Sequence, residues 1–110
     1  MIKQGDILTL SLDPTKGHEQ KGYRPVVVIS NEIYNRKTGF CVIYPISSTE
    51  RDYSMYIGLD ERTKTHGKVI ADQMKTVDIK ARPYKYIESI PDDILEEVLE
   101  MAYATLERKN

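Results

Sequence analysis

The sequence predicts a mainly β protein: a small, mostly antiparallel barrel capped by one amphipathic C-terminal helix. Three observations predict it. Short apolar or alternating runs, bounded by turn residues, recur along the chain as far as Ile90. After Pro91 the apolar spacing changes from period two to the helical period. With 110 residues, 40% of them hydrophobic and 30% charged, the composition is that of one globular domain rather than a disordered chain.

The elements follow in order. Leu8, Leu10 and Leu12 alternate with Thr9 and Ser11, the pattern of a half-buried strand that Asp13-Pro14 stops. A polar, glycine-bounded loop runs from there to Gly22. Arg24 to Ile29 is apolar and β-branched, as a central strand must be. Asn35-Arg36-Lys37-Thr38-Gly39 reads as a turn. Phe40–Pro45, Met55–Leu59, Lys68–Ala71, Met74–Val77 and Lys85–Ile90 read as further strands. Pro91-Asp92-Asp93 suits the first turn of a helix, since proline needs no N–H partner there and carboxylates favour the positive end of the dipole. Ile94, Leu95, Val98, Leu99, Ala102 and Leu106 form its apolar stripe, and Arg108 and Lys109 sit towards its far end.

Several function classes find no support. No apolar run approaches the ~18 residues of a membrane span, and Met1 to Asp6 contains no apolar signal core, so the expected compartment is the cytoplasm. The single cysteine, Cys41, lies among apolar strand residues and is expected to be a buried thiol. His18 and His66 fall in no zinc-binding spacing, and no phosphate-cradling glycine loop precedes a helix. No nucleophile elbow accompanies Ser47 or Ser48. No metal or other cofactor is therefore expected. The net charge of −1 hides an asymmetry: Arg62 to Lys85 holds seven basic and two acidic residues, and Tyr86 to Asn110 seven acidic and two basic. A neutral total is compatible with a polyanion partner if the basic part faces it.

The residues that remain suit metal-free phosphodiester chemistry. RNA cleavage by its own 2′-OH needs a base for the hydroxyl proton, a cation for the charged phosphorane and an acid for the leaving 5′-oxygen. Arg24 offers a bidentate cation, although a surface ion pair would also account for it. His18 titrates near neutrality and Glu19 can orient it or act as base; both would also be ordinary loop residues. Ser47 or Ser48 can donate to a phosphate, or simply make a turn. Asp72-Gln73 can read a base edge or hold a loop. Most of the eight tyrosines are strand packing, with Tyr23 and Tyr53 or Tyr56 the best placed to stack on a base.

The run Leu12-Asp13-Pro14-Thr15-Lys16-Gly17-His18-Glu19-Gln20, then Gly22 and Arg24-Pro25-Val26-Val27-Val28, resembles the loop signature of the MazF/PemK/Kid toxins. Tyr34-Asn35-Arg36, Pro45-Ile46, Gly67 to Gln73 and Asp78 to Arg82 extend the resemblance through nearly the whole chain in the same order. The resemblance implies an SH3-like barrel and a homodimer. It implies a sequence-specific, metal-independent endoribonuclease that cleaves single-stranded mRNA, leaving a 2′,3′-cyclic phosphate and a 5′-OH. A MazE-like antitoxin would neutralise it. It places the family's key arginine on Arg24, its glutamate on Glu19, the histidine some members use on His18, and the acidic residue of some members on Asp72, beside Gln73. Catalysis is expected of Arg24, Ser47, Glu19 and His18, and RNA binding of Lys16, Gln20, Lys21, Tyr23, Ser48, Asp72 and Gln73. The chain departs from the pattern twice. Ser47 stands where many members have threonine, which keeps the hydroxyl and loses a restraining methyl. Ile70 stands where Kid-type members have arginine, so the electrostatic role is assigned to Arg24. The alternatives are a non-catalytic RNA-binding barrel and a gyrase-inhibiting toxin of the CcdB type. The latter acts through a C-terminal Trp-Gly-Ile, which this tryptophan-free chain lacks.

Overall fold

A computed structural model of the chain describes residues 1–11 and 23–109. Their elements are β1 (Asp6–Ser11), β2 (Tyr23–Val28), α1 (Glu32–Thr38), β3 (Phe40–Ser47), β4 (Tyr56–Gly58), β5 (Lys68–Ile70), β6 (Lys75–Asp78), β7 (Tyr84–Ser89) and α2 (Asp92–Leu106). The strands make one antiparallel sheet in the order β4-β5-β3-β2-β1-β7, with β6 also on β3. This is the expected antiparallel sheet with its C-terminal helix.

The alternation in β1 has more behind it than a half-buried strand. Leu8 and Leu10 are fully buried, but so is Ile7, which points the opposite way. The sheet is covered on both faces. One face packs Ile7, Val27, Tyr44, Ile46, Ile57 and Val69 against Ile94, Val98 and Ala102 of α2. The other gathers Leu8, Leu10, Val26, Val28, Cys41, Ile43 and Val77. Alternate residues of β2 and β3 serve each cluster, which is why both strands read as near-continuous apolar runs.

Among the described residues no backbone ladder joins β4 to β7 and closes the sheet. Side chains join its two ends instead. Glu88 on β7 accepts hydrogen bonds from Lys64 N (3.1 Å), Thr65 N (2.8 Å) and Thr65 Oγ1 (2.8 Å) in the β4–β5 connection. Partial burial pushes its carboxyl up, but these bonds and the Lys64 charge together hold it below the usual carboxylate range. In the same connection Arg62 bridges Asp60 at 2.8 Å and Asp93, in the first turn of α2, at 2.9 Å.

The segment Asn35–Gly39 is no simple turn. It is the end of α1, capped at its start by Asn31, whose side chain accepts from Tyr34 N, and at its end by Gly39 in the left-handed region (φ 77°). Seven residues are too few for a periodic apolar signal, so only the caps mark the helix in the sequence. Asn35 is buried beneath it, with Nδ2 donating to the Ile2 and Ser30 carbonyls at 3.1 Å. Ser30 Oγ donates to Asn35 Oδ1 and accepts from Val42 N at 2.8 Å, so α1 is tied to β3 by a satisfied polar network.

Helix α2 starts after Pro91 as expected, and Ile94, Val98 and Ala102 form its buried stripe. Two details differ from the sequence reading. Leu106, the last residue of the helix, is 71% exposed, so the buried stripe ends at Ala102. Arg108 and Lys109 fall beyond the last turn, where Lys109 pairs with Glu107.

Candidate active site

Two prolines and a bulge open one end of the sheet. The β2–β3 ladder runs only from Val28↔Ile43 to Val26↔Pro45. Pro25 has no N–H with which to carry it on to Ile46, so the strands stop pairing there. Arg24 and Tyr23 remain paired to β1 alone, opposite Leu10 and Ser11. On the other edge of β3, Ile43 faces Lys75 and Ile46 faces Val69. Tyr44-Pro45 therefore lies opposite the longer segment Ile70 to Met74, which bulges outward. Pro45 needs no partner at that point, and the bulge turns Asp72 and Gln73 into solvent, with Gln73 N donating to Ile70 O at 3.2 Å.

Register then decides which side chains share a face. Residues directly opposite one another in a ladder project to the same side. Ser47 pairs with Lys68, and Lys68 with Gly58. Tyr56 pairs with Ile70, two residues along. By strand alternation from the Val26↔Pro45 pair, Arg24 and Ser47 project to the same side of the sheet. Arg24, Ser47, Lys68 and Tyr56 thus belong to one face at one end of the sheet. At Gly58, in the same row, an added Cβ would meet nothing, so the surface there is open.

The chemical state of each group is plain. Arg24 is exposed and makes no ion pair with a described residue, unlike Arg62. Ser47 is half-buried, and its Oγ accepts from Thr49 N at 3.2 Å, which leaves the hydroxyl proton for another acceptor. Ser48 and Tyr23 are exposed, and Asp72 and Gln73 lie across β3 on the bulge. The expected residues Lys16, His18, Glu19, Gln20 and Lys21 lie outside the described residues. Cys41 is fully buried, and burial pushes its thiol up to about 11, as the sequence reading expected of a packing residue. His66 is exposed in the turn before Gly67. Ile70 is buried, an apolar neighbour that offers no charge.

The basic segment is less free than its charge count implies. Arg62 is held by two carboxylates, and Lys68 Nζ donates to the Arg51 carbonyl at 2.6 Å. Arg51 itself went unremarked in the sequence. It lies in the β3–β4 connection, where no periodicity marks any residue, and only a basic residue beside Tyr53 could have drawn notice.

Comparison with known proteins gives this geometry its family. Endoribonuclease PemK of Escherichia coli is 40% identical over 102 residues, which cover 89% of this chain and 77% of that protein. Endoribonuclease toxin ChpB of Escherichia coli strain K12 is 32% identical, over 96% of this chain and 95% of that protein. Among solved structures, MazE-MazF (Form-II) from Deinococcus radiodurans superposes with a TM-score of 0.85 at 30% identity, covering 96% of this chain and 95% of that one. The family described as PemK-like, MazF-like toxin of type II toxin-antitoxin system matches residues 3–105. The chain belongs to that family of PemK-like, MazF-like toxins.

Proposed function

We propose that this protein is an endoribonuclease toxin that cuts single-stranded RNA by attack of the RNA's own 2′-OH, without a metal ion. The observation that carries the reading is the shared face of Arg24 and Ser47 at the splayed end of β2 and β3. Its relatives PemK and ChpB bear endoribonuclease names, so neither the non-catalytic barrel nor the gyrase inhibitor is favoured.

The 2′-oxygen loses its proton to a base and bonds to phosphorus. The bond from phosphorus to the 5′-oxygen breaks, and that oxygen takes up a proton. A 2′,3′-cyclic phosphate and a 5′-OH result. Arg24 binds the phosphate oxygens and stabilises the charge that builds on them in the transition state. The free hydroxyl proton of Ser47 adds a hydrogen bond to the same group. His18 and Glu19 carry the protons. Lys16, Gln20, Lys21, Tyr23, Ser48, Asp72 and Gln73 hold the strand. Ile70 offers no charge, so the electrostatic work falls to Arg24.

The chain works as one domain over its 110 residues and as a homodimer. A MazE-like antitoxin neutralises it, as the MazE-MazF pairing of the Deinococcus structure supports. An acidic antitoxin segment would compete with RNA for Arg24. Among the described residues no helix is long and apolar enough to cross a membrane, and the proposed site of action is the cytoplasm, where mRNA is found. The test is digestion of a defined single-stranded RNA by the purified protein in EDTA. Discrete cuts ending in 2′,3′-cyclic phosphate are expected; intact RNA, or cuts ending in 3′-OH, would refute the proposal.

A further inference from the structure

We propose that Tyr53, backed by Arg51 and braced by Tyr56, is a stacking shelf for one nucleobase beside the scissile phosphate. The inference rests on the endoribonuclease reading and adds to it a positioning residue in the β3–β4 connection.

The shelf is built into the site by a chain of contacts that starts at Ser47. Ser47 Oγ accepts from Thr49 N at 3.2 Å, and Thr49 Oγ1 accepts from Arg51 N at 3.1 Å. Lys68, the ladder partner of Ser47, donates to the Arg51 carbonyl. At the far end Tyr56 N donates to Tyr53 O at 2.9 Å, and Ala71 N, beside Asp72, donates to Met55 O at 3.1 Å. A connection without strand or helix is thereby fixed at both ends to the elements that carry Ser47 and Asp72.

What it presents is an aromatic ring with one cation. Tyr53 and Tyr56 meet edge to face, with centroids 5.0 Å apart and planes at 77°. The Arg51 guanidinium carbon lies 5.8 Å from the Tyr53 centroid, a cation–π contact. Packing alone does not account for the pair, because Tyr53 remains 44% exposed and Arg51 is exposed as well. A restrained, solvent-facing ring beside a cation is the surface on which a nucleobase stacks while its phosphate meets positive charge. Stacking accepts any base, so the shelf sets where the strand lies rather than which sequence is cut.

The test compares Tyr53→Leu, Tyr53→Phe and Arg51→Ala with wild type on a cleavable RNA. A second set of RNAs carries one abasic residue at each position around the cut in turn. Losing one stacked base should cost Tyr53→Leu about tenfold in kcat/KM, mostly through KM, whereas Tyr53→Phe stays within about twofold. Arg51→Ala should lose about two- to fivefold. At one position the abasic RNA should cost wild type about tenfold and Tyr53→Leu nothing more, because ring and base act as a pair. A merely structural role would lower every RNA alike. Equal kcat/KM for Tyr53→Leu and wild type, or equal abasic losses in both at every position, overturns the shelf while RNA cleavage stands. If Tyr53→Leu melts early, the abasic series on Tyr53→Gln, which also removes the ring, decides by the same rule. Wild type that cuts no RNA overturns both proposals.

Discussion

Arg24→Ala is expected to lower RNA cleavage about 10²- to 10³-fold, the usual effect of removing one group aimed at transition-state charge. The loss should appear mainly in kcat. Arg24 is exposed and makes no ion pair with a described residue, so its removal should change stability by no more than about 0.5 kcal/mol. Arg24→Lys keeps the charge but loses the two-pronged donor geometry, and should recover only part of the rate. The measurement pairs cleavage rates with thermal unfolding of the same samples. An Arg24→Ala protein that unfolds like wild type and cuts at the wild-type rate would remove Arg24 from the mechanism.

Gly67→Ala should have the largest effect on the fold. Gly67 has a φ of 125°, a conformation that side chains rarely tolerate. An added Cβ would also run into the Ser47 carbonyl oxygen, lie 2.8 Å from its carbon and 3.3 Å from Ser48 Cα. These are backbone atoms, so relief requires moving the strand end itself. Backbone strain of ~1–3 kcal/mol plus that clash predicts a loss of about 3 kcal/mol or more. For a chain of this size the melting temperature should drop roughly 10–20 °C. Cleavage should fall too, because what yields is the backbone that carries Ser47 and Ser48. An unchanged melting temperature would mean that Gly67 does not hold β5 against β3.

The two examples show what a sequence can disclose. Arg24 was legible because charge stands out where a polar loop meets the apolar run Val26 to Ile29. The helix α2 was legible because a sustained period needs no tertiary context, although its stripe ends before Leu106. Gly67 could be read as a turn residue, but its need to be glycine arises from the Ser47 backbone across the ladder. The short helix α1 hid because its signal lies in two caps, Asn31 and Gly39, rather than in periodicity. The splaying of β2 from β3 was written in Pro25 and Pro45, yet only the register shows that the two prolines fall at the same end. The shelf at Tyr53 needed Arg51 and Tyr56 brought to one place, which spacing alone does not do.

The central claim is that the attacking oxygen belongs to the RNA. Its most direct test is one oligonucleotide with a single 2′-deoxy substitution at the nucleotide 5′ to the cut, incubated with the purified protein. Cleavage at that bond should cease while binding persists, because the protein then holds a phosphate with no nucleophile beside it. Cleavage of the deoxy-substituted bond at the rate of the all-RNA strand would contradict the account, since water or a protein group would then be the nucleophile.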